Sequence, residues 1–381
     1  MVPEVLMIST YSPSKNGIAS YTARLEKALR NEVKVEIAAS GRDWKRNSLS
    51  YIPTLLKRAI NSKAKIVHVQ LSYFMFGDEL HSVLFPLLVL GLKALHKKVV
   101  ITFHDIVPRY NLTRDFMKRY STISRFLWFK RWALILYTRI VCSLVDRIIV
   151  HDEIAKKTLV QEYKADREKV RIIPHGIDSR PVLSRVNNIK NAGKPIVSYF
   201  GLVRQGKGLE HLVKAWRIVL KNISAQLYII GGKHPYIHDG YYEKLIELVK
   251  STGLDSSICF CGYVPTERLP TYFTATDVFV FPYNEWGEVI ASSGALSLVA
   301  AYRKPIIATD VPAFYSLKRV GAALIVKRGD ANSLASAILE ALTNVRTRKT
   351  LIDRLNKWVL ESEWSTVAKK TKTLYFELYD S

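Results

Sequence analysis

Two stretches of this chain, about 190 residues apart, repeat one order of events. Val5 to Ser9 is an apolar run, and Tyr11 to Gly17 is a loop of turn formers. Ile18, Tyr21, Leu25 and Leu29 then fall at helical spacing. Ile196 to Phe200 is a second apolar run, behind a Gly-Lys-Pro turn. Gly201, Gly206 and Gly208 permit a tight loop after it. Leu209, Leu212, Val213, Trp216, Val219 and Leu220 mark the helix that follows. Each stretch reads as buried strand, glycine loop and amphipathic helix. Such an opening commits a chain to alternating strands and helices, so the prediction is α/β architecture built twice.

The remaining pattern fits. In the first half, Val33 to Ala38, Ile66 to Val69, Val99 to Phe103, Arg147 to Val150 and Val170 to Ile173 read as strands. Several run into polar tips: His68 and Gln70, His104 and Asp105, His151 and Asp152. The second half offers strands at 226–230, 258–260, 278–281, 305–308 and 323–326, then helices near 331–343, 347–360 and 365–379. Polar residues at strand C-terminal ends mark the ligand edge of a doubly wound parallel sheet. The predicted organisation is an N-terminal domain over 1–178, rejoined by a C-terminal helix over 365–381. A polar linker over 179–195 follows it, then a second domain over 196–364. The natural active site of two such domains is the cleft between them.

Composition limits the function classes. A chain of 381 residues exceeds one ordinary core, and 48% hydrophobic content excludes general disorder. Cys142, Cys259 and Cys261 make no disulfide or metal framework. The last two, on one face of a strand, read as a buried pair, and a reducing, cytoplasmic compartment is expected. Val5 to Ser9 is too short for a secretory leader. The longest apolar run, Val83 to Leu92, is too short to span a bilayer and contains Pro86; it reads as a buried or interfacial helix.

Net charge is +24, which implies a polyanionic neighbour. Arg109 to Arg147 holds nine Arg or Lys against two Asp, interleaved with eight aromatics. That mixture suits an anionic membrane interface. The competing reading is a packed helix pair with a solvated basic face.

The glycine loop at 201–208 carries the chemistry. Backbone N–H groups and a helix N-terminus face an anion there, and Arg204 and Lys207 add two charges. A diphosphate is the ligand this suits. The sequence is neither a P-loop nor the Rossmann fingerprint, so an ordinary turn with solvated cations is the competing reading. Ser292, Ser293 and Gly294 open another helix and form a second candidate cradle; simple capping is the alternative.

With these residues in hand, the chain resembles the retaining glycosyltransferases of family 4 nearly end to end. Phe200-Gly-Leu-Val-Arg-Gln-Gly-Lys-Gly208 is similar to that family's phosphate loop, and Asn16-Gly17-Ile-Ala-Ser-Tyr to its N-terminal glycine loop. Ile101-Thr-Phe-His-Asp105 resembles the strand end bearing the donor-site histidine. Ile173-Pro-His-Gly-Ile-Asp178 resembles the segment that closes the first domain. Phe260-Cys-Gly-Tyr-Val264 resembles the segment meeting the nucleotide base, and Lys304-Pro-Ile-Ile-Ala-Thr-Asp-Val-Pro312 the strand after the donor helix.

The resemblance implies the GT-B fold, two Rossmann-like domains facing across a cleft. It implies metal-independent transfer of a hexose from a nucleotide sugar, GDP-mannose or UDP-glucose, with no other cofactor. Arg204 and Lys207, with Gly17, Ser292, Ser293 and Gly294, would hold the donor diphosphate. His104 would orient the sugar, and Gly262, Tyr263 and Val264 would meet the base and ribose. The acceptor would be lipid-linked or a polysaccharide, at the membrane surface. One departure matters: the family's two glutamates, eight residues apart, have no counterpart. Ungapped spacing from Pro305 puts Ile290 and Leu298 there. Glu285, in Tyr283-Asn-Glu285, is assigned the sugar contact, with Glu288 as competitor, and Leu298 is expected in the helix core. The missing pair leaves a catalytically weak sugar-nucleotide-binding subunit as an alternative. Charge alone would suggest a nucleic-acid-binding protein, but no such module appears and no nucleic acid is expected.

Overall fold

In the computed structural model, the residues described are 3–11, 14, 16–73, 75–114, 116–117, 127–179, 181, 193–233, 240–284 and 289–380. The expected α/β architecture is found twice. One compact unit comprises Met1–Gly176, Glu288–Ser292 and Ser362–Ser381; the other comprises Ile177–Gly287 and Ser293–Glu361. Most of the stretch read as a linker, 180 and 182–192, lies outside the described residues.

Unit 1 opens with β1 (Glu4–Ser9), α1 (Gly17–Leu29), β2 (Lys34–Ala39), α2 (Tyr51–Asn61) and β3 (Ile66–Leu71). There follow α3 (Glu79–Val83), α4 (Phe85–Ala94), β4 (Lys98–Phe103), β5 (Asp105–Ile106) and α5 (Leu127–Leu144). It continues through β6 (Arg147–Val150), α6 (Glu153–Tyr163) and β7 (Val170–Ile172). The strand order is β2-β1-β3-β4-β6-β7, all parallel. Alternation along each strand sorts side chains to two faces. Leu6, Ile8, Val67, Val69, Val99, Ile101 and Ile148 pack with α2, α4 and α5. Val5, Met7, Ile66, Val100 and Ile149 face the other way, onto α1 and the C-terminal helix.

Unit 2 runs β8 (Ile196–Phe200), α7 (Leu209–Leu220), β9 (Gln226–Ile230), α8 (Tyr241–Ser251), β10 (Ile258–Gly262), α9 (Leu269–Ala275) and β11 (Val278–Phe281). The chain then returns to unit 1 for β12 (Ile290–Ala291), which pairs antiparallel with β5 and buries Ile290 in that unit's core. Back in unit 2 come α10 (Gly294–Ala300), β13 (Ile306–Thr309), α11 (Tyr315–Val320), β14 (Leu324–Val326), α12 (Ala331–Thr343) and α13 (Val345–Glu361). The C-terminal α14 (Trp364–Tyr379) belongs to unit 1. Unit 2's order is β10-β9-β8-β11-β13-β14.

Each sheet reverses its winding beside its first strand, between β1 and β3 in unit 1 and between β8 and β11 in unit 2. Loops leaving the strands at such a point diverge and open a crevice. The two glycine loops read from the sequence leave β1 and β8, so each sits at its unit's switch point.

Candidate functional site

In unit 2 the loop after β8 is tied to the loop after β11. Gly208 caps α7 in the left-handed region at φ +67°, and a Cβ there would lie 1.9 Å from the Pro282 carbonyl oxygen. Only glycine fits both demands. The Asn284 amide donates to the Gly206 carbonyl at 3.1 Å. Between these ties, Lys207 is only 6% exposed, with Nζ 3.6 Å from the centroid of the Tyr283 ring. The solvated-cation reading therefore fails for Lys207. Burial, and secondly the charge of Arg204, hold its ammonium well below the usual lysine range. Burial also raises the Tyr283 phenol to about 12, with Ser293 and Arg204 holding it back. Arg204 itself is half-buried.

Burial makes the charged form of this lysine costly, and an anion brought close would favour it. Nearby, Asn284 donates through Nδ2 to Glu210 at 2.7 Å, and Tyr241 donates to the same carboxylate. A depression of about 630 Å³ opens beside Asn284, rimmed by Asp310, Lys327 and Arg328.

The remaining donor-site expectations fall as follows. Ser293 is buried and caps α10, its Oγ accepting from Leu296 N–H at 3.3 Å; α10 is a short helix of 7 residues. Gly294 is its exposed first residue, and Ser292 is half-buried after β12. Gly262 ends β10 at φ +63° with a register shift, Tyr263 is 68% exposed, and Val264 packs on the core. Leu298 also packs on that core, as expected. Glu285 and Glu288 lie outside the described residues.

Cys259 and Cys261 correct the sequence reading. Cys259 is exposed and Cys261 half-buried, because β10 is the sheet's edge strand and only one of its flanks is covered.

Unit 1 places Gly17 as the first residue of α1, behind Asn16, whose side chain accepts from Ala19 N–H at 2.8 Å. A Cβ at Gly17 would meet nothing within 4 Å. His104 lies in a polar network that the sequence did not announce as a unit. Its Nε2 is 2.9 Å from Gln70 Oε1, and its Nδ1 is 3.4 Å from His151 Nε2. Both ring nitrogens are thus engaged inside unit 1. Gln70 Nε2 lies 3.3 Å from His68 Nε2, which also meets Thr102 Oγ1 at 2.8 Å. His68 Nδ1 meets the Tyr375 hydroxyl of α14 at 2.5 Å. At the far end, His151 Nδ1 is 3.0 Å from the Ile173 carbonyl. Edge contacts bring the rings of His104 (4.8 Å), His175 (5.1 Å) and Trp364 (5.1 Å) onto Tyr21, and His151 meets it tilted at 5.4 Å.

Parallel register explains the cluster. Gln70 is level with Thr102, and Thr102 with Ile149, so alternate residues His68, Gln70, Thr102, His104 and His151 share one face. Burial lowers every imidazole: His68 to about 3, His151 to about 4, His175 to about 3, and His104 well below its usual range, with its histidine neighbours adding. All four are neutral at pH 7.

Neutral rings carry one proton each, and the ends of the network decide where it sits. The Ile173 carbonyl accepts, so His151 donates from Nδ1 and accepts at Nε2. His104 then donates from Nδ1 and accepts at Nε2. Gln70 must therefore turn its NH2 to His104 and its oxygen to His68 Nε2–H, leaving His68 Nδ1 to accept from Tyr375. With the amide the other way round, satisfying both nitrogens of His151 requires a second proton on that ring. Amide orientation and imidazole charge are coupled in this network. Nearby, Asp105 accepts from Ser72 Oγ at 2.6 Å and Tyr73 N–H at 3.1 Å, yet burial raises its carboxyl to about 6.

Comparison with known proteins agrees with this geometry. The family profile described as Glycosyltransferase Family 4 matches residues 15–180, and that described as Glycosyl transferases group 1 matches 194–344. Among curated proteins, a D-inositol 3-phosphate glycosyltransferase of Nocardia farcinica is 28% identical over 225 residues, covering 55% of this chain and 47% of that protein. The lipopolysaccharide core mannosyltransferase LpsB of Rhizobium meliloti is 29% identical over 176 residues, covering 44% and 48%. The chain thus spans about half the length of these curated relatives. Among solved structures, sucrose-phosphate synthase of Thermosynechococcus elongatus superposes with TM-score 0.70 at 20% identity, over 99% of both chains. Anabaena HepE, in complex with UDP and glucose, superposes with TM-score 0.70 at 12% identity, over 97% of this chain and 98% of that one. These likenesses show the GT-B fold. With the two family profiles together matching most of its length in tandem, the chain belongs to the family 4 glycosyltransferases.

Proposed function

We propose that this protein transfers a hexose from a nucleotide sugar, with retention and without a metal ion, to a lipid-linked or polysaccharide acceptor at a membrane surface. The observation that carries the reading is the glycine loop at unit 2's switch point, with Lys207 buried on Tyr283 and Arg204 beside it. As the glycosidic bond breaks, negative charge grows on the departing diphosphate. Arg204, Lys207 and the loop's backbone amides are set to meet that charge; one preorganised donor of this kind is worth roughly 2.7–4 kcal/mol. Retention, metal independence and the sugar-orienting role of His104 come with the family resemblance. Glu285 is assigned the sugar contact, with Glu288 as competitor. HepE's complexes with UDP and UDP-glucose support a uridine donor, and the similarity to LpsB supports a mannosyl donor. UDP-glucose and GDP-mannose are therefore the first donors to assay.

Calorimetric titration with UDP and GDP, in two buffers of different ionisation enthalpy, tests the core of this reading. An anion beside Lys207 opposes the lowering of its pKa by burial, so any proton taken up on binding shows as a difference between the two buffers. Lys207→Met keeps the buried volume and removes the charge; affinity then falls about 10- to 100-fold. Unchanged affinity in Lys207→Met and Arg204→Ala together would remove the diphosphate assignment.

A second reading is favoured by the glutamate positions. Ile290 is buried and Leu298 packs in the core, so neither supplies a carboxylate. A sugar-nucleotide-binding subunit would show nucleotide affinity with no turnover across a panel of nucleotide sugars.

A further inference from the structure

The outward side of α5 reverses ordinary amphipathicity. Its inward residues Ile135, Tyr137, Thr138, Val141 and Cys142 are buried. Its outward residues are Trp128 (69% exposed), Phe129 (60%), Trp132 (55%) and Leu136 (58%), with Ile140 at the margin. Trp128, Trp132, Leu136 and Ile140 recur every four residues and make one stripe. α4 packs beside α5 and is apolar all round, the composition of a helix with no water-facing side. Yet Leu87 and Leu90 are exposed on it, and Val83 on α3 continues the row. The sequence read this run as a buried or interfacial helix; Phe85, Leu88, Val89 and Leu92 are buried while its other side is open. Two adjacent helices with apolar outer faces form a contiguous patch of the kind that marks an interaction site.

Charge decides between occupants. A second copy would bring +24 against +24. An anionic bilayer offers the opposite sign. Exposed indoles and phenyl rings are the side chains that settle at a lipid headgroup boundary. Of the segment's cations, Arg131 is exposed beside the stripe, whereas Lys130 is half-buried and paired with Glu79 at 2.5 Å. Arg131 thus adds a positive charge beside the apolar stripe. Among the described residues no helix is long and apolar enough to cross a membrane.

We infer that the outward faces of α4 and α5 are one bilayer-docking surface that inserts Trp128, Phe129, Trp132 and Leu136 at the headgroup boundary of an anionic membrane. This deepens the membrane part of the proposed function and rests on it. Adhesion then has two components: a charge component screened within about 8 Å at physiological salt, and an apolar component that salt does not release.

The test uses the full chain with vesicles of phosphatidylcholine alone or mixed with phosphatidylglycerol, across a salt series, read by co-sedimentation and by tryptophan quenching with brominated acyl chains. The wild type is expected to prefer anionic vesicles, to keep a salt-resistant bound fraction and to be quenched. The triple variant Trp128→Ser, Trp132→Ser, Leu136→Ser lowers partition at least about tenfold at every salt concentration and abolishes quenching. Leu87→Ser with Leu90→Ser, on the other helix, lowers it about tenfold. Arg131→Glu weakens binding at low salt only. These side chains are exposed, so UDP and GDP affinity stays at the wild-type value and reports an intact fold. If wild type binds but the triple variant binds equally, this surface is wrong while the membrane reading stands. If wild type binds no vesicles, or light scattering shows it as a dimer that the triple variant breaks, both fall.

Discussion

The two halves of the molecule share a plan and differ in what they place at the strand ends. Unit 2 lines its rim with glycines and one buried cation; unit 1 fills the corresponding edge with four neutral imidazoles, a glutamine and two tyrosines. The first arrangement lets backbone approach a ligand and buries a lysine whose charged form is disfavoured by that burial. The second spends its hydrogen bonds internally and carries no charge at neutral pH. One sheet architecture can therefore present either an anion seat or a satisfied polar network, and the choice rests on a few residues past each strand. Three perturbations break this symmetry of plan in different ways.

The largest effect is expected from acid, and in unit 1. A histidine whose folded pKa is depressed adds nothing to the pH dependence above 6.5, where both states are neutral. Below 6.5 the unfolded chain takes up a proton that the folded one refuses, so stability falls with pH until the folded pKa is reached. That window runs from 6.5 down to about 4 for His151 and to about 3 for His68 and His175, at about 1.4 kcal/mol per pH unit for each ring. Asp105 runs the other way: its carboxyl, raised to about 6, stabilises the folded state as it protonates and offsets part of the loss. Urea titrations between pH 7 and 4.5 are expected to show net proton uptake on unfolding. His151→Gln with His175→Asn should flatten the slope. A slope near zero in the wild type would mean the rings are solvated.

The second perturbation is Gly208→Ala. Its Cβ would enter the Pro282 carbonyl, and the left-handed φ adds backbone strain, so unit 2 is expected to lose about 3 kcal/mol or more. Thermal unfolding measures it. A loss under about 1 kcal/mol would show that the two loops are not tied there, and with them the seat of Lys207.

How much of this was legible beforehand follows from range. Strand, loop and helix are local patterns, so β1 to α1 and β8 to α7 could be read directly, as could Arg204 and Lys207 within the loop. Seating Lys207 on Tyr283 joins positions 76 residues apart in sequence, and composition gave no signal of it. The histidine network joins β3, β4, the end of β6 and α14; the clue was polar residues two apart in otherwise apolar strands, His68 with Gln70 and Thr102 with His104. In the sequence those residues read as separate tips, because register, which aligns them, is not a local property. The cysteine pair failed for a related reason: a strand's own pattern does not say whether it lies at a sheet edge. The apolar outer face of α5 was hidden by its mixture with cations, because periodicity alone does not state which side faces inward.

The smallest effect separates the two glycine loops themselves. Gly17 has ordinary helical surroundings: it opens α1, Asn16 caps it, and a Cβ there touches nothing. Unlike Gly208, it is not required by the fold. Gly17→Ala removes conformational freedom from the unfolded chain and is expected to leave stability unchanged or to raise it by about 0.5–1 kcal/mol. Open space beside a helix N-terminus does suit a ligand that must come close to the backbone, which is the role Gly17 was assigned from its resemblance to the N-terminal glycine loop. If that assignment is right, UDP or GDP affinity falls several-fold in Gly17→Ala while the melting temperature rises. That split of signs is the informative outcome, because a purely structural glycine would move both readouts together. If affinity is unchanged, Gly17 has no part in holding the donor, and the unit 2 loop holds the diphosphate without it.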